Sequence, residues 1–164
     1  MLRNKMPPPG FTLSDAEGRP RSPEQLRAGK PLLLFFFRFA SCPTSRRDLA
    51  AYAEVHSRLR AVDAEMAAVS VDAPADLRRL RDDLRLPFPL LSDADFAVSR
   101  AYGVYESDEV DEGPQPHGEP AVFVLDVDGS LAYGQVQTGP KGSATPSELV
   151  LMLLYMARNG GRYW

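Results

Sequence analysis

Six consecutive apolar residues, Leu32 to Phe37, open the pattern of this chain. A run without alternation, introduced by Pro31, predicts a strand buried on both faces and therefore central in a covered sheet. Glu65 to Val71 predicts a second strand and Phe88 to Leu91 a short third. Between the first two, Leu49, Tyr52, Ala53, His56 and Leu59 recur at helical spacing. They predict a helix running from a short loop at 38–43 to about Arg60, with His56 as a partly buried, hydrogen-bonded residue at the border of its apolar face. Leu77, Leu80 and Leu84 mark a helix over 74–84, and Ser92 to Asp95 reads as the cap of a helix from about 94 to 101. Phe11 to Leu13 and Arg19 to Arg21 flank a turn at Gly18, and Ser22-Pro23-Glu24-Gln25 starts a short helix. Ala121 to Leu125 and Leu131 to Val136 flank Asp128-Gly129 as a hairpin, and Pro146 to about Arg158 forms the last helix. Glu106 to Glu119 is acidic, with Val110 its one aliphatic residue, and predicts a surface loop. The order is ββα, βαβα, a short βα, then ββα. That is one α/β domain with a mixed sheet over residues 11–158, between a polar lead-in at 1–10 and a tail at 159–164.

Composition narrows the chemistry. The chain has 164 residues and a single cysteine, Cys42. No disulfide can form within it, and a zinc site built from several cysteines is excluded. With only His56 and His117 besides, no metal is expected. Lys5, Lys30 and Lys141 are the only lysines, and the arginines are interleaved with acids, as in Arg78, Arg79, Arg81, Asp82 and Asp83. No basic stripe for nucleic acid results. The start has no apolar signal region, and no apolar run approaches the roughly 20 residues that span a bilayer, so a cytoplasmic protein without a membrane partner is expected. Leu149 to Met156 is apolar on all sides, which fits either full packing or partial cover by a second subunit, as in a homodimer.

Cys42 is the sharpest chemical feature. It follows the buried strand and stands at the mouth of a helix, with Pro43 at the first helical position. The free N–H groups and positive end of a helix favour thiolate over thiol, and Arg38, Arg46 and Arg47 lie nearby in sequence. The expectation is an accessible, acidic thiol. The alternative is a small buried hydrophobe.

The strand, the Cys-Pro-x-x segment and the helix together resemble the thioredoxin superfamily. Within it the chain is similar to the peroxiredoxin-like proteins of the alkyl hydroperoxide reductase/thiol-specific antioxidant group, over roughly residues 8–158. Four pieces carry the resemblance: the opening Pro9 to Pro20; Gly29 to Arg38; Pro87 to Asp93 with Val98 to Val104; and Pro120 to Asp126 with Gly129. The resemblance implies a thioredoxin-like fold, no organic cofactor, and a Cys42 thiolate that attacks a hydroperoxide. With no partner cysteine, the sulfenic acid would be reduced by an external thiol or a thioredoxin-type reductant. Monothiol exchange, or a module that has lost catalysis, are the other readings.

The departures are specific. Phe39 stands where peroxiredoxins proper carry a threonine, and Pro120 where they carry an arginine. Cys42-Pro43-Thr44 matches their common triplet, but Ser45 follows it. A side branch with Arg-Gly-x-Trp-Cys-Pro-x-Cys fits Arg38 to Ser45, with Ser45 in place of its second cysteine. The resemblance thus implies Cys42 as nucleophile with Arg38, Thr44, Ser45 and Pro120 in support. The Ser45 hydroxyl is placed to hydrogen-bond the Cys42 sulfur. Pro120 matches the proline that faces the cysteine in thioredoxin-like folds and is expected to follow a cis bond. Peroxide turnover is expected to be slow. Asp126-Val-Asp128-Gly also looks like the first motif of haloacid-dehalogenase-type phosphatases. The 36 residues after Asp128 are too few to supply the remaining acids, and a turn explains the motif.

Overall fold

Buried alternation in one strand sets the whole architecture. In the computed structural model, which describes residues 1–109, 113–142 and 144–164, strand β3 spans Leu32–Phe36. Leu33 and Phe35 enter the core on one side of the sheet, Leu32, Leu34 and Phe36 the core on the other. A period of two with apolar residues on both faces requires cover on both faces.

Among the described residues, twelve elements follow the expected order: β1 (Leu13–Asp15), β2 (Pro20–Arg21), α1 (Pro23–Arg27), β3, α2 (Pro43–Ala61), β4 (Glu65–Ser70), α3 (Pro74–Leu84), β5 (Leu90–Ser92), α4 (Ala97–Ala101), β6 (Ala121–Leu125), β7 (Leu131–Val136) and α5 (Pro146–Arg158). Their seven strands form one sheet in the order β2-β1-β5-β4-β3-β6-β7. β3 runs parallel to β4 and antiparallel to β6, so it is central and the sheet is mixed. Residues from α2, α3 and α5 pack on one face; Leu26 of α1 and the aromatic residues Phe96 and Tyr102 around α4 cover the other.

Local chemistry explains the ends. Ser22 and Thr145 each form a capping box, with Gln25 and Glu148 respectively. The Asp93 carboxylate accepts from the N–H groups of Val98 and Ser99, so α4 begins slightly later than the sequence pattern suggests. The Asp126–Gly129 segment is a turn between β6 and β7: the Asp126 carboxylate accepts from the Asp128 N–H and the Asp128 carboxylate from the Ser130 N–H. Arg162 pairs with Asp128 at 2.8 Å. These groups are consumed by the turn, which accounts for the phosphatase-like motif. His56 is half-buried and its ring lies tilted against Phe88 at 5.9 Å, a ring contact in place of the expected hydrogen bond.

Candidate active site

The loop joining β3 to α2 is pinned at three main-chain groups. The Arg38 N–H donates to Ser45 Oγ at 3.2 Å, the Ala40 N–H to Asp72 Oδ2 at 2.9 Å, and the Cys42 N–H to the Phe39 carbonyl at 3.1 Å. Asp72 is fixed in turn by the Ser70 hydroxyl at 2.6 Å. Burial pushes the Asp72 carboxyl upward, against the hydrogen bonds that favour its charge. Cys42 is the N-cap of α2, with Pro43 at the first helical position and no hydrogen bond from the cysteine side chain to the helix. The sulfur therefore stands at the positive end of a 19-residue helix.

Arg38 comes back over that sulfur. Its Nη1 donates to Cys42 Sγ at 3.6 Å, and the side chain is almost wholly buried. The guanidinium also pairs with Glu109 and lies 3.3 Å, through Nε, from Glu119 Oε2. Burial works against the charge of Arg38, but the hydrogen bonds to Cys42 and Glu109 and the Glu119 carboxylate more than offset it, so the group is held still more firmly protonated. Nη2 approaches His117 Nε2 at 3.4 Å. The other ring nitrogen, Nδ1, lies 3.0 Å from the Pro114 carbonyl and 3.3 Å from Gln115 Nε2. The tautomer with its proton on Nδ1 serves that carbonyl and leaves Nε2 to accept from Arg38.

Two expectations are corrected here. Cys42 is only 2% exposed rather than openly accessible. The reason lies in the acidic segment expected to be a surface loop. Gly118 bridges to Glu106, the Ser107 N–H donates to the His117 carbonyl, and the Glu119 N–H donates to the Tyr105 carbonyl at 2.7 Å. This short antiparallel pair turns His117 and Glu119 inward, where His117 is 0% exposed and packs edge-on to Phe39 at 4.9 Å. Val110 to Glu112 lie outside the described residues. The expected cis bond before Pro120 is also corrected: among the described residues the cis bond is Gln115–Pro116. The chain through Glu119 and Pro120 is held extended, by the Glu119 bond to Tyr105 on one side and the Gln137 N–H to the Pro120 carbonyl on the other, and continues directly into β6.

Of the expected residues, the structure brings Cys42, Arg38 and Ser45 together. The Ser45 hydroxyl is spent on the Arg38 N–H rather than on the sulfur. Thr44 is half-buried on the first turn of α2 and Pro120 is buried ahead of β6; neither side chain takes part in the hydrogen bonds just described. Arg46 and Arg47 turn away, to the Ala40 carbonyl with Asp83 and to Asp48 respectively. His117, Glu119 and Glu109 are functional candidates that sequence reasoning missed. The signal for them was weak: a histidine and a glutamate separated by Gly118 just ahead of a buried strand.

A thioredoxin-like sheet with a lone cysteine at the mouth of the helix that follows its central strand defines a thiol-redox class of protein. The chain belongs to the AhpC/TSA family, whose model matches residues 4–134. A chloroplastic peroxiredoxin Q of Sedum lineare is 32% identical over 97 residues, 59% of this chain and 52% of that protein. The chain thus spans about half the length of the plant relatives it matches. A Mycobacterium tuberculosis protein provisionally named a peroxiredoxin is 30% identical over 82% of this chain and 85% of its own. Among solved structures, peroxidoxin BcpB of Mycobacterium tuberculosis superposes with a TM-score of 0.79 at 21% identity, covering 97% of this chain and 98% of that one. A cysteine-to-serine mutant of the Xylella fastidiosa PrxQ gives 0.81 at 16% identity over 96% and 98%. At those identities the structural likeness supports the fold.

Proposed function

We propose that this chain is a single-cysteine thiol peroxidase. The observation that carries the reading is the Arg38 guanidinium placed 3.6 Å from a cysteine sulfur at a helix N-cap. The Cys42 thiolate attacks the terminal oxygen of a hydroperoxide. An S–O bond forms, the O–O bond breaks, and the alkoxide leaves with the electron pair and takes up a proton. Cys42 is then a sulfenic acid. An external thiol, small or of the thioredoxin type, attacks that sulfur and expels water, and a second thiol releases the resulting disulfide and restores Cys42. The net reaction converts one hydroperoxide and two thiols to an alcohol, water and a disulfide.

Arg38 supplies the guanidinium that the family takes from the position of Pro120, and it does so from the loop that carries the cysteine. His117 and Glu119 hold it there. Phe39 leaves no hydroxyl at the family's threonine position, so one donor to the peroxide is missing. Losing such a donor costs about 10²–10³ in rate. The expected enzyme is therefore slower than peroxiredoxins that carry both groups. We place the reaction in the cytoplasm, where thiol pools keep a lone cysteine reduced and complete the cycle. An inert module is not favoured, since it needs no buried arginine aimed at the sulfur, and monothiol exchange is not favoured because the relatives are named as peroxiredoxins.

The test is peroxide consumption in the presence of excess dithiothreitol, with a sulfenic-acid trap. Turnover that is lost in Cys42→Ser, and a trapped adduct on Cys42, are expected. A wild-type protein that consumes no peroxide and yields no adduct overturns the reading.

A further inference from the structure

We propose that the groove beside Cys42 is a docking site for the reducing thiol, and that it selects small thiols carrying both an ammonium and a carboxylate group. The inference rests on the external-thiol step above and names its substrate class.

The groove is about 370 Å³ and reaches Ala40 and Ser41 on the cysteine loop, with Pro114 on its rim. Ser41 is exposed and directly precedes Cys42. Arg38, Phe39 and His117 are almost completely buried, Arg38 against the sulfur and Phe39 edge-on to His117. Cys42 itself is buried behind Ser41, and we take this groove, which reaches Ser41, as the side from which a second sulfur arrives.

Its walls carry charges of both signs. Arg46, on the first turn of α2, supplies a guanidinium at a positive helix end, suited to a carboxylate. Asp76, Arg79 and Asp83 lie along α3 at spacings that share one helix face. In the free protein these groups pair with each other, Arg46 with Asp83 at 3.4 Å and Arg79 with Asp76 at 3.1 Å. Both acids and Arg79 are exposed, and exposed pairs are worth about 0–1 kcal/mol. A ligand presenting one charge of each sign can therefore exchange for them: its carboxylate on Arg46, its ammonium between Asp76 and Asp83. A plain thiol such as 2-mercaptoethanol gains nothing from this surface.

The experiment loads Cys42 as a mixed disulfide with 2-nitro-5-thiobenzoate. An incoming thiolate attacks Cys42 Sγ, forms a new S–S bond, and releases the coloured nitrothiobenzoate with the electron pair. Rates are compared for cysteine, cysteamine, 3-mercaptopropionate and 2-mercaptoethanol at equal thiolate concentration. Because the ligand replaces pairs that the groove already makes, only the difference is gained, and cysteine is expected to exceed 2-mercaptoethanol by about threefold. Arg46→Gln should remove the advantage of the carboxylate-bearing thiols, and Asp83→Asn should reduce that of the ammonium-bearing ones. Peroxide oxidation of Cys42, measured separately, should be unchanged in Asp83→Asn. Rates that follow thiolate nucleophilicity alone, insensitive to either substitution, overturn the proposal, as does failure of Cys42 to accept the label. Charge selectivity without any peroxide reactivity would refute the peroxidase reading and leave the docking site standing.

Discussion

Arg38 sits between one sulfur and two carboxylates, so its charge is shared, and each neighbour sets how much of it the sulfur receives. Glu109 is the exposed member of the pair. Removing its charge by Glu109→Gln should leave more of the guanidinium field for Cys42 and speed peroxide oxidation at neutral pH by about threefold, the scale of an exposed ion pair. A slower variant in stopped-flow traces would mean that Glu109 positions Arg38 rather than competing for it. Asp72 makes a pH prediction. Its folded-state affinity for a proton is raised by burial, so the folded protein binds more protons than the unfolded chain just above pH 3.8. Stability then falls as pH rises from the unfolded carboxyl range through the folded one. Asp72→Asn should remove this component: its stability relative to wild type, from urea unfolding, should improve between pH 4 and pH 7. Relative worsening over that interval would contradict the assignment. None of this was legible in the sequence, where Asp72 was one acid at the end of a strand; only the sheet brings it under Ala40.

The segment from Tyr105 to Pro120 shows why an element can be misread. An acidic stretch with one aliphatic residue matches a solvated loop, and part of it is exposed. Two inward residues, His117 and Glu119, are placed by alternation across Gly118, and a two-residue alternation is too short to register as a strand. Gly118 is the tight point: a Cβ there would lie 2.7 Å from Val104 Cγ1 and 2.8 Å from Phe96 Cε2. Gly118→Ala should therefore push the segment off the pocket. Iodoacetamide should label Cys42 faster while peroxide oxidation slows, because access rises as Arg38 loses its support. If both rates rise together, the segment merely blocks the site and does not organise it. The longer elements were readable because each carries a repeated signal: six apolar residues for β3, three leucines on one face for α3, and Pro-led caps for α1 and α5.

At the scale of the molecule, the order of elements and the position of the cysteine were legible, because strand, cysteine and helix are contiguous. The Arg38 network was only half legible: Arg38 is four residues from Cys42, whereas its partners lie about 70 to 80 residues away in sequence. The last helix separates the two readings of its apolar run. Leu149, Leu153 and Met156 are buried against the core, while Leu151 and Tyr155 remain 66% and 53% exposed. The expected homodimer is tested at that outer face. Leu151→Arg should lower the sedimentation coefficient at micromolar concentration, and a monomeric wild-type protein would contradict the expectation. Activation of Cys42 by Arg38 is the centre of the proposed mechanism. The most direct measurement is the second-order rate of Cys42 oxidation by hydrogen peroxide in wild type, Arg38→Lys and the Arg38→Met/Glu119→Gln double variant, which leaves no unpaired buried carboxylate at Glu119. With each variant folded by circular dichroism, the double variant should be slower by about 10²–10³, with Arg38→Lys between the two. Wild-type rates in both folded variants would contradict the assignment of Arg38.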